Sequence, residues 1–525
     1  MSLVEKLAAV VLPEEERGRR LAALLPRLSA EEGEWIRGMA QVLPELASLL
    51  QQRDLSLAQL QRLLFGAKSE KTRTICPPAQ PLPAPPKGRR RGHGRHAAQD
   101  YTGARRVVVP HPCLHSGRVC PECAQGKVRP QPPQVAVHVK PQPLFDATVF
   151  EMTSLRCDSC GKTFTASTPA EAGQQKYDPA VGPMLGLLRF GVGVPHYRLE
   201  RHQADLGVPL PASTQWELME ESARSLQPAL DHLAYLAAQA STLHNDDTSM
   251  RIGDLRRQIQ AQPEPERTGI FTTSIVACGQ EHPIALFFTG QRHAGENLRE
   301  ILGRRQEGLA PPIQMCDGLS RNVPKEFKTL LAGCLVHARR GFVEVADRFP
   351  EPCAHVLETL RQIYGWDAQA KEAGLSPQDR LLFHQNHSQP LMETFHTWLQ
   401  DQLDQKKVEP NSGLGNAIAY MIKHWQPLTL FLRQPGAPLD NNVAERSLKM
   451  AILHRKNSLA FKTQRGAQVG DLFMSLIHTC RLNLANPFDY LVALVRNATR
   501  LKTDPDAWMP WNYRDTLASL GPASP

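Results

Sequence analysis

Apolar residues recur at helical intervals through Ile36, Met39, Val42, Leu43, Leu46, Leu49 and Leu50, then Leu55, Leu57, Leu60, Leu63 and Leu64. That period predicts a helical N-terminal region over residues 1–75, fitting a short coiled coil or an antiparallel helical hairpin. Residues 113–174 lose the helical period, and the β-rich runs Val135–Val139 and Phe145–Phe150 read as strands. Residues 175–240 return to it. Tyr197–Leu206 reads as a helix, Gly207-Val208-Pro209-Leu210-Pro211 as a break, and Ser213 as the N-cap of a second helix through Glu221. Helix, Gly-containing turn and capped helix are the parts of a helix-turn-helix. In residues 241–348 the apolar runs Ile270–Ala277, Pro283–Thr289, Ile313–Cys316 and Cys334–His337 read as strands, with Ala294–Arg304 helical between them. Residues 349–437 read as helical, 438–500 as a return to the preceding layer, and 501–525 as a C-terminal tail.

Residues 76–112 break both periods. They are rich in Pro and then basic, with Lys87-Gly88-Arg89-Arg90-Arg91-Gly92-His93-Gly94-Arg95-His96 at their centre. Such composition buries no core, so the segment reads as a linker. The whole chain carries a net charge of +9. Gln61 to Pro112 holds eleven Lys or Arg against two acids, enough to account for that excess. Arg446 to Arg465 adds six Lys or Arg with no acid. Basic density of this kind is the footprint of phosphate binding, and Lys87, Arg89, Arg90, Arg91, Arg95 and Lys449 are the candidate DNA contacts.

Four of the eleven cysteines are spaced for a metal: Cys120-Pro121-Glu122-Cys123 and Cys157-Asp158-Ser159-Cys160, with 33 residues between the pairs. Paired CxxC knuckles flanking strands predict a zinc ribbon with one structural zinc on Cys120, Cys123, Cys157 and Cys160. No apolar run is long enough to cross a membrane. Met1–Leu12 lacks the basic start and cleavage site of a secretory signal, so the expectation is a cytoplasmic protein.

Three acidic residues stand in separate contexts: Asp246 after Leu243-His244-Asn245, Asp317 after Ile313-Gln314-Met315-Cys316, and Glu445 after Leu439-Asp440-Asn441-Asn442-Val443-Ala444. The first two read as strand-end carboxylates. The third reads as a helical residue one turn before Lys449, with Asp440 capping its helix and Arg446 projecting about 100° away. The expected order is three strands, helix, strand, helix, strand, which is that of an RNase H-like core. The 127 residues between Asp317 and Glu445 then contain a helical insertion. The fold class expected is therefore multidomain α+β: an RNase H-like core in two parts, 241–348 and 438–500, around the insertion 349–437. The helical N-terminal region, the zinc ribbon and a helix-turn-helix-like domain precede it. Three carboxylates converging from two strands and a helix can hold two Mg2+ or Mn2+ ions, the arrangement used on phosphodiesters.

Along nearly its whole length the chain resembles the transposases of the bacterial insertion sequence sixty-six family. The likeness is carried by Leu63-Leu64-Phe65-Gly66-Ala67-Lys68-Ser69-Glu70-Lys71, by the paired knuckles, and by three core blocks. These are Leu243-His244-Asn245-Asp246-Asp247-Thr248, Gly333-Cys334-Leu335-Val336-His337-Ala338-Arg339-Arg340 and Asp440-Asn441-Asn442-Val443-Ala444-Glu445-Arg446, the last continuing through Arg465-Gly466 to Asn486-Pro487. The family more often has Glu where this chain has Asp247. The resemblance implies a DDE transposase with Asp246, Asp317 and Glu445 as catalytic, metal-holding residues. It also implies binding to the terminal inverted repeats of an element, target double-stranded DNA, a homo-oligomer on DNA, and two small accessory proteins. A nuclease that cuts without joining, and a catalytically inactive zinc-ribbon DNA-binding protein, are the alternative expectations.

Overall fold

The structure is a computed structural model that describes residues 106–521, apart from 138–143, 157, 159, 161, 174 and 280, together with Pro26, Gly33, Ile36 and 98–100. The N-terminal helical region, the basic cluster from Lys87 to Arg95 and Cys157 thus lie outside the described residues. The chain falls into two compact units: residues 1–79 with 342–361, and residues 80–341 with 362–525. In the first unit the described backbone is helical over most of 342–361, and Phe342, Cys353, Val356, Leu357 and Leu360 are buried. The elements below belong to the second unit, except that the helices Leu335–Val345 and Pro350–Glu372 lie partly in the first.

Near its start, β1 (Ser154–Arg156) and β2 (Thr163–Thr165) pair antiparallel around the second cysteine knuckle. The expected strands at 135–139 and 145–150 do not form in the described residues: 135–137 and 145–150 run without ladder partners. Their valines are largely exposed, so there is no sheet face for the alternation to bury.

A helical stretch follows, α1 (Val181–Gly186), α2 (His196–Asp205) and α3 (Ala212–Ala238). The turn between α2 and α3 is fastened by Gln215, whose Nε2 donates to the Leu210 carbonyl at 2.8 Å and the His196 carbonyl at 3.2 Å. Ser213 lies inside the first turn of α3, not at its cap, because Pro211 already supplies the extended residue before the helix. The second helix continues well past Glu221. Met219, Leu226, Ala229, Leu233 and Ala237 keep an apolar stripe buried along its length.

The sheet consists of β3 (Thr242–Ser249), β4 (Phe271–Cys278), β5 (Ile284–Gly290), β6 (Ile313–Cys316) and β7 (Leu330–Gly333), in the spatial order β5-β4-β3-β6-β7. The first three strands are antiparallel; β6 and β7 run parallel to β3. Three differences from the sequence expectation stand out. Helix α4 (Gly253–Gln260) separates β3 from β4. Only the 3₁₀ turn Ser320–Asn322 lies between β6 and β7. The run Cys334–His337 is not a strand: β7 ends at Gly333 and α6 (Leu335–Val345) begins. Apolar runs this short fit a strand or a buried helix start equally well.

Helix α5 (Ala294–Leu302) covers one sheet face, where Asn297 Nδ2 donates to Thr273 Oγ1 at 2.8 Å. Beyond α7 (Pro350–Glu372), α8 (Pro377–Asp404) and α9 (Gly413–Lys423), α10 (Asn442–Ser458) covers the other face, where the hydroxyls of Ser274 and Ser447 are hydrogen-bonded. Thr273 and Ser274 are consecutive, so their side chains leave opposite sides of β4. The open edge of β5 is closed by α11 (Gln464–Leu482). Asp471, Ser475 and Thr479 accept from the N–H groups of Thr289, Phe287 and Ala285 at 2.6, 2.9 and 3.1 Å. Four helical residues rise about 6 Å and two strand residues about 6.8 Å, so alternate N–H groups meet successive turns. This answers an edge that would otherwise offer itself to another chain.

Candidate active site

The sheet register decides which way neighbouring acids point. Asp246 pairs with Ser274 and Asp247 with Thr273. Cross-strand partners share a face. Asp246 therefore faces α10, and Asp247 faces α5. On that side Asp247 lies 3.1 Å from His293 Nδ1 and 3.7 Å from Arg321 Nη2, with little of its side chain exposed. Asp247 is paired with His293 and Arg321, whereas Asp246 has acids for neighbours.

Asp246 sits inside β3, three residues before its end, not at the strand terminus. The parallel register of β3 and β6 pairs His244 with Met315. Continued by two residues, it sets Asp246 level with Asp317, the first residue past β6. Asp317 is held by Asn322 Nδ2, which donates to its Oδ1 at 2.5 Å, and by the Leu319 N–H at 3.3 Å. Gly318 turns the chain at φ +71°, a conformation that a side chain disfavours. The Asp246 carboxyl is pushed up to about 7, first by burial, then by the negative charges of Asp317, Asp247 and Glu445, against a hydrogen bond from the Asp247 N–H. Those charges act on Asp246 only because the fold brings the acids together.

Glu445 is in the first turn of α10, whose start is capped from outside: Asp440 Oδ1 accepts the Asn442 N–H at 3.0 Å. Glu445 Oε1 lies 3.8 Å from His337 Nδ1, and both atoms are buried with no hydrogen-bond partner among the described residues. Asp246, Asp247, His337, Arg340, Asn442, Glu445, Arg446 and Lys449 line an open cleft of about 620 Å³. Arg446 thus shares the cleft with Glu445, contrary to the expectation that it projects elsewhere. The cleft takes a wide stripe of α10, and Arg446 is four residues from Asn442 and three from Lys449, spacings that lie on one face.

Beneath the acids runs a buried polar network absent from the sequence expectation. Asn441 Nδ2 donates to the Asn245 carbonyl at 3.0 Å, its Oδ1 accepts from His244 Nδ1 at 3.2 Å, and its N–H donates to Cys334 Sγ at 3.2 Å. Asn245 Nδ2 donates to the Asn322 carbonyl at 2.8 Å, and Gln314 Nε2 bridges Asn245 Oδ1 and the same carbonyl at 2.9 and 2.7 Å. Burial pushes His244 down to about 4, which keeps it neutral in this network. The network ties β3, β6, the Asp317 turn and the start of α10 into one frame. Its sequence signal was the polar pair His244-Asn245 inside an apolar strand and the doubled Asn441-Asn442 beside the Asp440 cap. Asn441→Ala leaves His244 Nδ1 and the Asn245 carbonyl without these partners. Urea denaturation is expected to show a loss of about 2–4 kcal/mol, at roughly 1–3 kcal/mol per orphaned buried group.

At the knuckles, Cys120 and Cys123 are joined by a tight turn in which the Ala124 N–H donates to the Cys120 carbonyl at 3.0 Å and the Cys120 N–H to the Gly126 carbonyl at 2.7 Å. The Cys123 thiol is held below the usual range, first by the Gly126 N–H, then by those of Gln125 and the Cys120 side chain. Donors aimed at sulfur favour thiolate, the form that binds metal. Cys160 is exposed beyond β1. The basic cluster Lys87, Arg89, Arg90, Arg91 and Arg95, like Cys157, lies outside the described residues.

The family profile described as "Transposase IS66 family" matches residues 179–469, more than half of the chain. Two proteins of Sinorhizobium fredii (strain NBRC 101917 / NGR234), each named only as an uncharacterized protein, are similar to it. One, y4hP, is 27% identical over 390 residues, 69% of this chain and 67% of that protein. The other, y4jD, is 27% identical over 356 residues, 64% of this chain and 66% of that protein. The matched span includes Asp246, Asp317 and Glu445 and stops short of the cysteine knuckles.

Proposed function

This chain belongs to the IS66 transposase family, and from that membership we propose that it is a DDE transposase acting in the cytoplasm on the ends of its own element. Asp246, Asp317 and Glu445 are its catalytic carboxylates. The observation that carries the reading is the placing of Asp246 and Glu445 in one cleft with Asp317 level with Asp246 in the register; burial and the charges of Asp317, Asp247 and Glu445 push the Asp246 carboxyl up to about 7. A group so placed holds either a proton or a cation near neutral pH. The sheet order β5-β4-β3-β6-β7, with three antiparallel strands followed by two parallel to the first, supports an RNase H-like core.

The residues fit a divalent cation pair: Asp246 and Glu445 line one cleft, and Asp317, level with Asp246 in the sheet register, adds its charge to that of Glu445 at Asp246. When bound, Mg2+ or Mn2+ supplies charge stabilisation and a nucleophile for in-line attack on a phosphodiester. Asn322 and the Leu319 N–H fix the Asp317 carboxylate, while α10 presents Glu445 from its first turn. Arg340, Arg446 and Lys449 around the cleft would meet DNA phosphates and orient the scissile strand.

The zinc ribbon on Cys120, Cys123, Cys157 and Cys160 and the basic linker would complete the grip on the terminal repeats, with the protein assembling as a homo-oligomer on DNA beside two accessory proteins. Of the helical pair at 196–238, α2 exposes Tyr197, Arg198 and Arg201, whereas the exposed start of α3 carries Glu217 and Glu221. Phosphate favours α2. The test is to incubate the zinc-replete full chain with duplexes carrying the element's ends, a target plasmid and Mg2+. Joined products identify a transposase, cut but unjoined ends a nuclease, and intact ends an inactive copy.

Metal binding has a stability signature. Asp246 titrates near 3.9 when unfolded and at about 7 when folded. Below about pH 4 it is protonated in both states and costs nothing. Between the two values the folded chain keeps a proton the unfolded chain has lost, so stability falls as pH rises, and the full cost is present above pH 7. Asp471, pushed to about 7 by burial, acts in the same window, so Asp246→Asn is the comparison that isolates the site. Mg2+ is expected to raise the wild-type melting temperature at pH 8 and scarcely at pH 5, and to do neither in Asp246→Asn.

A further inference from the structure

We propose that Cys334 and His337 join Glu445 as the ligands of a borderline divalent transition-metal ion, in the class of Co2+ and Zn2+, at one wall of the cleft. Cys334 Sγ, His337 and Glu445 offer one ligand atom each, all within 4.8 Å of one another. Cys334 follows β7, where its N–H donates to the Cys316 carbonyl at 3.2 Å, and is buried. His337 is three residues on, in the first turn of α6, which returns it to the same side. Glu445 arrives from α10, whose start is pinned to Cys334 Sγ by the Asn441 N–H. The site is therefore built by two elements already locked together.

The spacing is that of ligands and not of a hydrogen bond. His337 Nδ1 and Glu445 Oε1 are 3.8 Å apart, beyond the reach of a direct bond. Two atoms each about 2.1 Å from one ion stand about 3.4 Å apart at the tetrahedral angle, and farther at wider angles. Both atoms are buried and lack hydrogen-bond partners among the described residues, a cost that an ion between them removes. The donor set decides the class: a sulfur and an imidazole beside one carboxylate suit borderline ions, whereas Mg2+ takes oxygen. The inference rests on the proposed transposase reading only in sharing Glu445. His337 lines the same cleft as Asp246, and neither Cys334 nor His337 belongs to the proposed carboxylate triad.

The experiment is a Co2+ titration of the full chain stripped to one zinc per chain, followed by the near-ultraviolet thiolate-to-cobalt charge-transfer band. Zinc outranks cobalt at a four-thiolate ribbon, so the ribbon stays zinc-loaded. Wild type is expected to develop the band, and excess Mg2+ not to displace it. Cys334→Ser, an isosteric change, is expected to abolish the band. His337→Gln and Glu445→Gln are expected to weaken Co2+ binding by about tenfold or more, the scale of losing one member of a ligand shell. Asp317→Asn is expected to keep the band. Equal circular-dichroism spectra and metal-free melting curves for wild type and variants separate ligand loss from misfolding; should His337→Gln fail that control, His337→Asn takes its place. A band unchanged in Cys334→Ser, or a Co2+ affinity unchanged in the His337 variant, overturns the proposal. Full strand transfer by Asp317→Asn would instead sink the carboxylate-triad reading and leave the cobalt result standing.

Discussion

Asp246→Asn, Asp317→Asn and Glu445→Gln are each expected to reduce strand cleavage and strand transfer by at least about a thousandfold, roughly 4 kcal/mol of transition-state stabilisation, while leaving DNA binding largely intact. Each swap removes ligand charge at nearly constant shape. For Asp246 it also removes the group pushed up to about 7, so the variant should be no less stable above neutral pH. Gel-based cleavage and joining assays beside a binding titration separate the two effects. Retained transfer by any of the three variants would remove that residue from the site. Asp247→Asn is the informative neighbour. Its carboxylate faces α5, where His293 and Arg321 hold it, so a loss of only about 10–100-fold is expected, as for a group supporting the site from behind. A dead Asp247→Asn with an active Asp246→Asn would reverse the assignment of the two faces.

The second large effect is expected at the cysteine knuckles. Cys→Ser at position 120, 123, 157 or 160 should abolish the single structural zinc and unfold the ribbon, while the five-stranded sheet stays folded. Structural zinc contributes on the order of 10 kcal/mol or more to a small domain. The flanking sheet is only two strands of three residues each, too little to fold alone. Elemental analysis, thiol titration under native conditions and limited proteolysis would check it. No zinc in the purified chain, with all four thiols titrating freely, would reject the ribbon. The lowered Cys123 thiol makes it the first expected to react with an alkylating reagent once metal is removed.

What was legible in the sequence was local. The strand Ile313–Cys316 falls where its apolar run placed it, and α2, α5, β4 and β5 lie within a residue or two of their periodic segments. Side-chain period and breaker residues act over a few positions, so one sequence displays them. The family was legible for the same reason: its blocks are short strings that survive at fixed order. The cysteine spacing and the three separated acids were likewise strings.

Pairing and direction were not. Asp246 and Asp247 are indistinguishable as letters, and only the register of β3 against β4 sends one toward Glu445 and the other toward His293. Cys334-Leu335-Val336-His337 read as strand because the run is apolar. Its helical turn, which brings Cys334 and His337 to Glu445, depends on where β7 stops. Arg446 entered the cleft because the cleft takes a broad stripe of α10, a width no helical wheel contains. Asn441 stands at the N-cap position of α10 and joins that helix to β3 and to the link between β7 and α6, with partners 107 and 196–197 residues away. Which chemical groups are available, and the periods that make helices and strands, are set by neighbours in the chain and so were readable from it. The tertiary structure decided which acids share a charge field, which are neutralised, and which polar atoms are left facing a gap, because those depend on burial and on distances between residues far apart in sequence.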